Sequence, residues 1–424
     1  MKRSNIESSL KRFLKRKVTI TLGMVVAFLI TGTIGYGADD IVAQGATNAY
    51  TATEVGSGNP KIIGGWNYTK DSADKNADHS GKDTNITLVS GTVDELIGGN
   101  HLKDTGSTDA YTSKIGNTSV TMNGGTVQYL VGGSKSNGTN ADIENGTTTV
   151  VVEGGTIGKA DPKGVTKAAL IGGNYIKSTS GQGTSITAKT DGTNVTITGG
   201  TFNNKVIGGS FVDTYGSPVV GMSVTDEKTN LVISGGTFND IVIGGGAAAG
   251  NGNTSTVVTS NLEITGGTFN ANIYAGGAAL NSGTATVTES NLAINGSSGN
   301  LKLNGAIYAG GLDSSVSGKT TLNLKNLTQD MFGKKVGIYG GSKAESAGVS
   351  IEDGDIEINV SSSDIYGDVR GGGGAFGVKS KVKAGNSIVI VEDSSVAGYE
   401  DSNRNAWTGR IFGTGIVQGG DLYK

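Results

Sequence analysis

The sequence predicts an all-β fold, a right-handed parallel β-helix (solenoid) of about ten coils of roughly 34 residues each. The first observation behind this is a phrase the chain repeats. Its clearest copies are Asn194-Val-Thr-Ile-Thr-Gly-Gly-Thr-Phe-Asn-Asn-Lys-Val-Ile-Gly-Gly209, Asn230-Leu-Val-Ile-Ser-Gly-Gly-Thr-Phe-Asn-Asp-Ile-Val-Ile-Gly-Gly245 and residues 261–277. Each has an alternating apolar strand, a Gly-Gly-Thr step, a second short apolar strand and a closing Gly-Gly. The second observation is composition. With 73 Gly among 424 residues, glycine is at more than double its usual share of about 7%, yet it has no three-residue period and Pro numbers only 3, which excludes collagen. The third is size. A unit of two or three short strands cannot bury its apolar face alone, whereas stacked copies bury a continuous core. In-register parallel pairing at about 4.8 Å per coil makes ten copies a rod of roughly 50 Å. A β-propeller would need four strands in a blade of about 40–45 residues.

Residues 1–37 stand apart from the repeats. Lys2, Arg3, Lys11, Arg12, Lys15, Arg16 and Lys17 face a single acid, Glu7; an apolar run follows from Val18 to Ile34, then the small residues Gly35, Gly37 and Ala38. A basic start, an apolar middle and a small-residue exit describe a secretory signal peptide. The string from Asn5 through Leu22, running into Val25-Val-Ala-Phe-Leu-Ile-Thr-Gly32, resembles the extended signal of autotransporter surface proteins in fusobacteria and their relatives. That resemblance implies an exported β-solenoid passenger followed by an outer-membrane translocator barrel. No run of amphipathic strands of about ten residues, which a barrel would need, occurs in this sequence. Without residues 1–37 the chain keeps 27 basic and 36 acidic residues, a net charge of −9. No basic stripe remains to neutralise phosphates, so no nucleic-acid partner is expected. The absence of cysteine excludes disulfides and thiolate metal sites.

Residues 38–61 are polar and weakly patterned and read as a lead-in or N-terminal cap; the repeats then run over 62–394. The inward pairs of the alternating strand are Ile86/Leu88, Val120/Met122, Val150/Val152, Val195/Ile197, Leu231/Ile233, Leu262/Ile264, Leu292/Ile294, Leu322/Leu324, Ile356/Ile358 and Ile388/Ile390. Period-two alternation sets these aliphatics on one face and the Thr, Ser and Asn between them on the other. The residue two before each closing Gly-Gly forms a second column: Ile62, Leu96, Leu130, Leu170, Val206, Val242, Tyr274, Tyr308, Ile338 and Val369. A third follows Gly-Gly-Thr and reads Val127, Ile157, Phe202, Phe238 and Phe269, with Val93 after Ser-Gly-Thr. The polar stretches 66–85, 100–118 and 174–194 read as loops emerging at one point of each coil, where insertions often carry binding. Gly-Gly-Thr is lost after Gly296, and residues 395–424 read as a last incomplete coil or a cap.

Parallel β-helices also host polysaccharide lyases and hydrolases, which need two carboxylates on one surface. Asp353/Asp355 and Asp364/Asp368 are the nearest pairs. His79 and His101 lie in polar segments, His79 beside Asp74, Asp78 and Asp83, in no known metal-ligand spacing. Glu352-Asp-Gly-Asp-Ile-Glu357 offers calcium-type oxygens outside any calcium-binding repeat. Gly244–Gly246 and Gly372–Gly374 are repeat corners, with no lysine-bearing phosphate loop after them. The expectation is no catalytic residue, cofactor or metal. The function expected is an adhesin or loop-presenting stalk on the bacterial surface, contacting host-cell or bacterial ligands of protein or glycan type. A carbohydrate-active β-helix enzyme is the alternative.

Overall fold

The computed structural model describes residues 41–42, 50–52, 60–68, 76–103, 111–137, 141–159, 168–178, 186–214, 221–397, 411–413 and 416–417. The signal-like segment 1–37 lies outside them. The described residues form a parallel β-solenoid of about nine turns, one fewer than the ten sequence copies. Every strand pairing is parallel, and the only helical turns described are the 3-10 turns Gly296–Ser298 and Gln329–Met331.

One coil shows the plan. The long strand Ile186–Ile197 is followed by Thr201–Phe202, then Lys205–Ile207, then Phe211–Thr214. Stacked, these make a long sheet, a folded sheet of two short segments and a short sheet. The C-terminal half of the long sheet packs on the folded sheet around Val195, Ile197, Phe202 and Val206. Its N-terminal half packs on the short sheet around Ile186, Ala188 and Val212. The stretches 66–85, 100–118 and 174–194, expected as loops, therefore contain short-sheet strands and the first half of each long strand. Those strands are short and polar on their outer positions, so they carry little alternation to read. The lead-in also contributes: Ile41–Val42 pairs with Ile62–Ile63, and Tyr50–Ala52 with Ile86–Leu88.

The core columns hold where the repeat is regular. Ile86, Val120, Val150, Val195, Leu231, Leu262, Leu292 and Leu322 are in register, as are Val93, Val127, Ile157, Phe202, Phe238 and Phe269. Phe202, Phe238 and Phe269 stack with centroids 4.9 and 4.7 Å apart, close to the spacing of parallel strands. Three expectations are corrected. Val242 pairs with Ile273, not Tyr274, because Ala275 takes the first-glycine place; likewise Ile307, not Tyr308, faces the core. Leu322 and Leu324 pair with Ile358 and Val360, one step beyond the expected pair. In the last long strand Val389 and Val391 point inward, while Ile388 and Ile390 are exposed.

Glycine serves two corners for different reasons. The second glycine of Gly-Gly-Thr has positive φ at Gly125, Gly155, Gly200, Gly236 and Gly267, from 85° to 107°. The closing glycines Gly98, Gly132, Gly172 and Gly208 have no such φ; there a Cβ would overlap the carbonyl oxygen of the glycine one coil on. Where Gly-Gly-Thr is lost, Asn326, Ser362 and Asp393 take positive φ at the same corner. Gly236→Val is therefore expected to cost at least about 2 kcal/mol by urea unfolding, and Gly236→Asn less, since Asn tolerates positive φ and Val does not. Equal losses would refute a backbone origin.

One hydroxyl column stands two residues before each aliphatic pair, on the inward side of the alternation. Thr84, Thr118, Thr148, Thr193, Ser260 and Ser290 are buried and donate to the carbonyls of Gly98, Gly132, Gly172, Gly208, Ala275 and Ala309 at 2.6–2.7 Å. These bonds satisfy corner carbonyls that the sheets leave unpaired. On the outer side asparagines form ladders. Asn230, Asn261 and Asn291 each donate to the Asn one coil before, at 2.8–3.0 Å, as do Asn239, Asn270 and Asn304.

Candidate functional site

The densest gathering of charged and aromatic side chains lies where the folded and short sheets meet, on the side turned away from the long sheet. Adjacent residues of a strand point to opposite faces, so Val206 enters the main core and Ile207 the seam, which it shares with Phe211. At the N-terminal end Glu95 sits between Lys61 (3.2 Å) and Lys135 (2.6 Å). The Lys135 ammonium lies 5.5 and 5.4 Å from the Tyr129 and Tyr175 ring centres. Burial alone would raise the Glu95 carboxyl, but Lys135 and Lys61 bring it below the ordinary value.

His101 is not in an exposed loop. It stands in the short sheet, 0% exposed, opposite Lys135, and neither ring nitrogen has a hydrogen-bond partner. Burial, then Lys135 and Lys61, pull its imidazole down to about 3, so it is neutral at physiological pH. His79 is elsewhere, stacked on Trp66 at 3.5 Å with Nε2 2.9 Å from the Tyr68 hydroxyl. The two histidines are thus tied into separate packing contacts. Asp74 lies outside the described residues, while Asp78 and Asp83 accept from the backbone of Ser80 and Asn117.

At the C-terminal end of the seam Tyr274, Tyr308 and Tyr339 stack with centroids 5.1 and 4.5 Å apart. Arg370 continues the column, 5.7 Å from the Tyr339 ring and 4.5 Å from Phe412, bonded to Asp368 at 2.8 Å. Lys335 reaches Asp368 at 3.3 Å. These are groups a polysaccharide cleft would use, yet Tyr274 is 1% exposed and the seam is filled by its own side chains. Sequence reading missed this site. Its signal was the position before the corner, which runs Ile, Val, Ile, then Tyr three times, then Arg.

Neither acid pair presents two carboxylates on one surface. Asp353 is buried, accepting from the Ser342 and Val316 N–H groups and the Ser342 hydroxyl, whereas Asp355 is exposed and accepts from Asn386. Asp364 is exposed and bonded to Ser395, while Asp368 is buried with Arg370. In the calcium-type segment, Glu357 is drawn to Lys319 (2.8 Å) and Asn359 (2.9 Å). An open cleft of ≈ 730 Å³ lies nearby, lined by Lys319, Asp355, Ile356, Glu357, Asn386 and Ile388 among others. Among the described residues, no group of three or more His, Asp or Glu side chains is placed to hold a metal ion. No protein-family model matches the sequence, and no curated protein or solved structure matches the chain.

Proposed function

We propose that the chain is an exported, non-enzymatic surface solenoid of the autotransporter-passenger kind. It acts as an adhesin, or as a stalk presenting loops to host or neighbouring cells. The ligand is a surface protein or glycan, and an outer-membrane translocator barrel is the export partner. The observation that carries the reading is how the ionisable and aromatic groups are used. Glu95, Asp353 and Asp368 are buried in structural pairs, and the tyrosine column is packed shut. Hydrolysis or elimination on a sugar polymer needs carboxylates or a base open to one substrate face. The long sheet instead turns a regular Thr and Asn surface outward, suited to rigidity and solubility. The rod is stiff because each coil is bonded to its neighbours along three sheets.

The test compares binding with turnover on the purified chain. Immobilised protein is screened against glycan and host-surface protein arrays. In parallel, acidic and neutral polysaccharides are incubated with it and checked for new reducing ends and unsaturated uronates. Saturable binding without product supports the reading. Product that disappears on substituting Asp355 or Glu357, which line the open cleft, would establish the enzyme instead.

A further inference from the structure

His101 is a basic group held where a proton is costly. Its ring is wholly buried, and neither Nδ1 nor Nε2 has a hydrogen-bond partner among the described residues. Asn67 stands opposite it in the strand of the coil before, and Lys135 in the strand of the coil after. Lys61 and Glu95 act on it from the folded sheet, and Lys103 from two residues along its own chain. The carboxylate of this group, Glu95, is already shared by Lys61 and Lys135 at 3.2 and 2.6 Å. With the imidazole neutral, two close ammoniums face one carboxylate. A proton on His101 adds a third cation beside that carboxylate, in a place closed to water.

We propose that His101 is the trigger of an acid-sensitive latch: on taking up a proton it parts the short sheet from the folded sheet over the coils that carry Lys61, Glu95 and Lys135. The direction is set by the open and closed states. Opened to water, the imidazole takes its proton at the ordinary value of about 6.5. Closed, burial first and then Lys135 and Lys61 hold it down to about 3. Between these values the open state binds more protons. The latch is therefore at full strength above about pH 6.5, and its closing equilibrium weakens roughly tenfold for each unit below. Glu95 does not account for a change in the upper part of this window. Lys135 and Lys61 hold its carboxyl below the ordinary 4.5, so its contribution is present above that value and is lost only as pH falls further.

A coil of a solenoid contacts only its neighbours, so one region can open while the rest stays closed. Opening here uncovers Tyr129 and Tyr175, whose rings lie beside the Lys135 ammonium. An aromatic face hidden at neutral pH is then presented in acid. Asp226, several coils on, pulls the other way: its carboxyl is raised by burial, so its own coils are firmer at low pH. The latch does not depend on the adhesin reading, since it concerns the seam and not the loops.

The test is amide exchange of the full chain from pH 7.5 to 4.5, read by mass spectrometry and corrected for the intrinsic pH dependence of exchange. The opening equilibrium over residues 95–103 and 129–136 should rise about a hundredfold across that range, and residues 230–264 should not follow. His101→Phe keeps an aromatic ring that cannot titrate and should abolish the rise. An equal rise in that variant, or none in the wild-type chain, would overturn the proposal. Should the variant not fold, the wild-type chain still decides by NMR of its two histidine side chains. At least one imidazole should stay neutral at pH 5 in the closed protein; if both take up a proton near pH 6.5, the latch has no trigger and the proposal fails.

Discussion

Phe238→Ala is expected to lower stability by roughly 3–5 kcal/mol, the range for emptying a buried aromatic site. The ring is 1% exposed and sandwiched between Phe202 and Phe269 at 4.9 and 4.7 Å, so truncation removes a stacking partner from both neighbours. No loop can collapse into the gap, because the backbones above and below are held in register by the sheets. A solenoid's stability is close to a sum of coil and nearest-neighbour terms. The damage should therefore be local: hydrogen exchange should quicken over about residues 200–270 and stay slow in coils further away. Phe238→Leu should cost much less, since Leu303 already stands in this column opposite Phe269. A loss below about 1 kcal/mol for the alanine variant, or loosening spread evenly along the rod, would count against this account.

How far the sequence reached can be judged from these columns. Phe202, Phe238 and Phe269 were legible because an aromatic after Gly-Gly-Thr recurs in a strand whose other face is polar. The same logic failed at Ile388 and Ile390, where Ser-Ile-Val-Ile-Val-Glu is apolar at every inner position and alternation cannot choose a face. It failed at Tyr274 because Ala275 replaces a glycine, so counting back from Gly-Gly lands one residue off. His101 was misplaced for another reason. A polar residue in a short strand looks like a loop residue, and it is the stacking of strands on both sides, with Asn67 opposite it in one and Lys135 in the other, that buries it. The expected adhesin role, partners and export rest on the N-terminal resemblance and on residues outside those described.

Under each corner lies a pairing rule that the repeat obeys from coil to coil, and Asp226→Val tests it. Asp226 is fully buried without a counter-cation, accepting from the Ser210 N–H (2.7 Å), the Ser210 hydroxyl (2.6 Å) and the Thr190 hydroxyl (2.9 Å). Ser342 and Asp353 repeat the arrangement. In the three coils between, the corner residue is Gly246, Gly277 or Gly311 and the residue beneath is Val257, Val287 or Val316, packed on one another. Asp226→Val alone strands the Ser210 donors, and Ser210→Gly alone takes the hydroxyl bond from the carboxylate, the backbone N–H bond remaining, and leaves the Asn174 N–H without its acceptor. Each should cost about 2–4 kcal/mol. The double variant recreates the Gly/Val solution and should recover at least about 1 kcal/mol of the summed loss.

The same carboxylate sets a pH dependence. Burial raises its folded pKa above the ordinary 3.8, against the hydrogen bonds from Ser210 and Thr190 that lower it. The folded state thus holds the proton more tightly than the unfolded chain. The contribution of Asp226 is greatest below the ordinary value and is lost as pH rises through the folded value. Asp226→Asn should accordingly stabilise the solenoid at about pH 7 relative to wild type and flatten this part of the profile. Asn145, 3.0 Å from the Ser134 hydroxyl beneath an earlier corner, shows that an amide fits there. If the Asn variant is as stable as wild type at low pH but less stable at neutral pH, the carboxylate is favoured in its charged form, and the cost assigned to burying it is wrong.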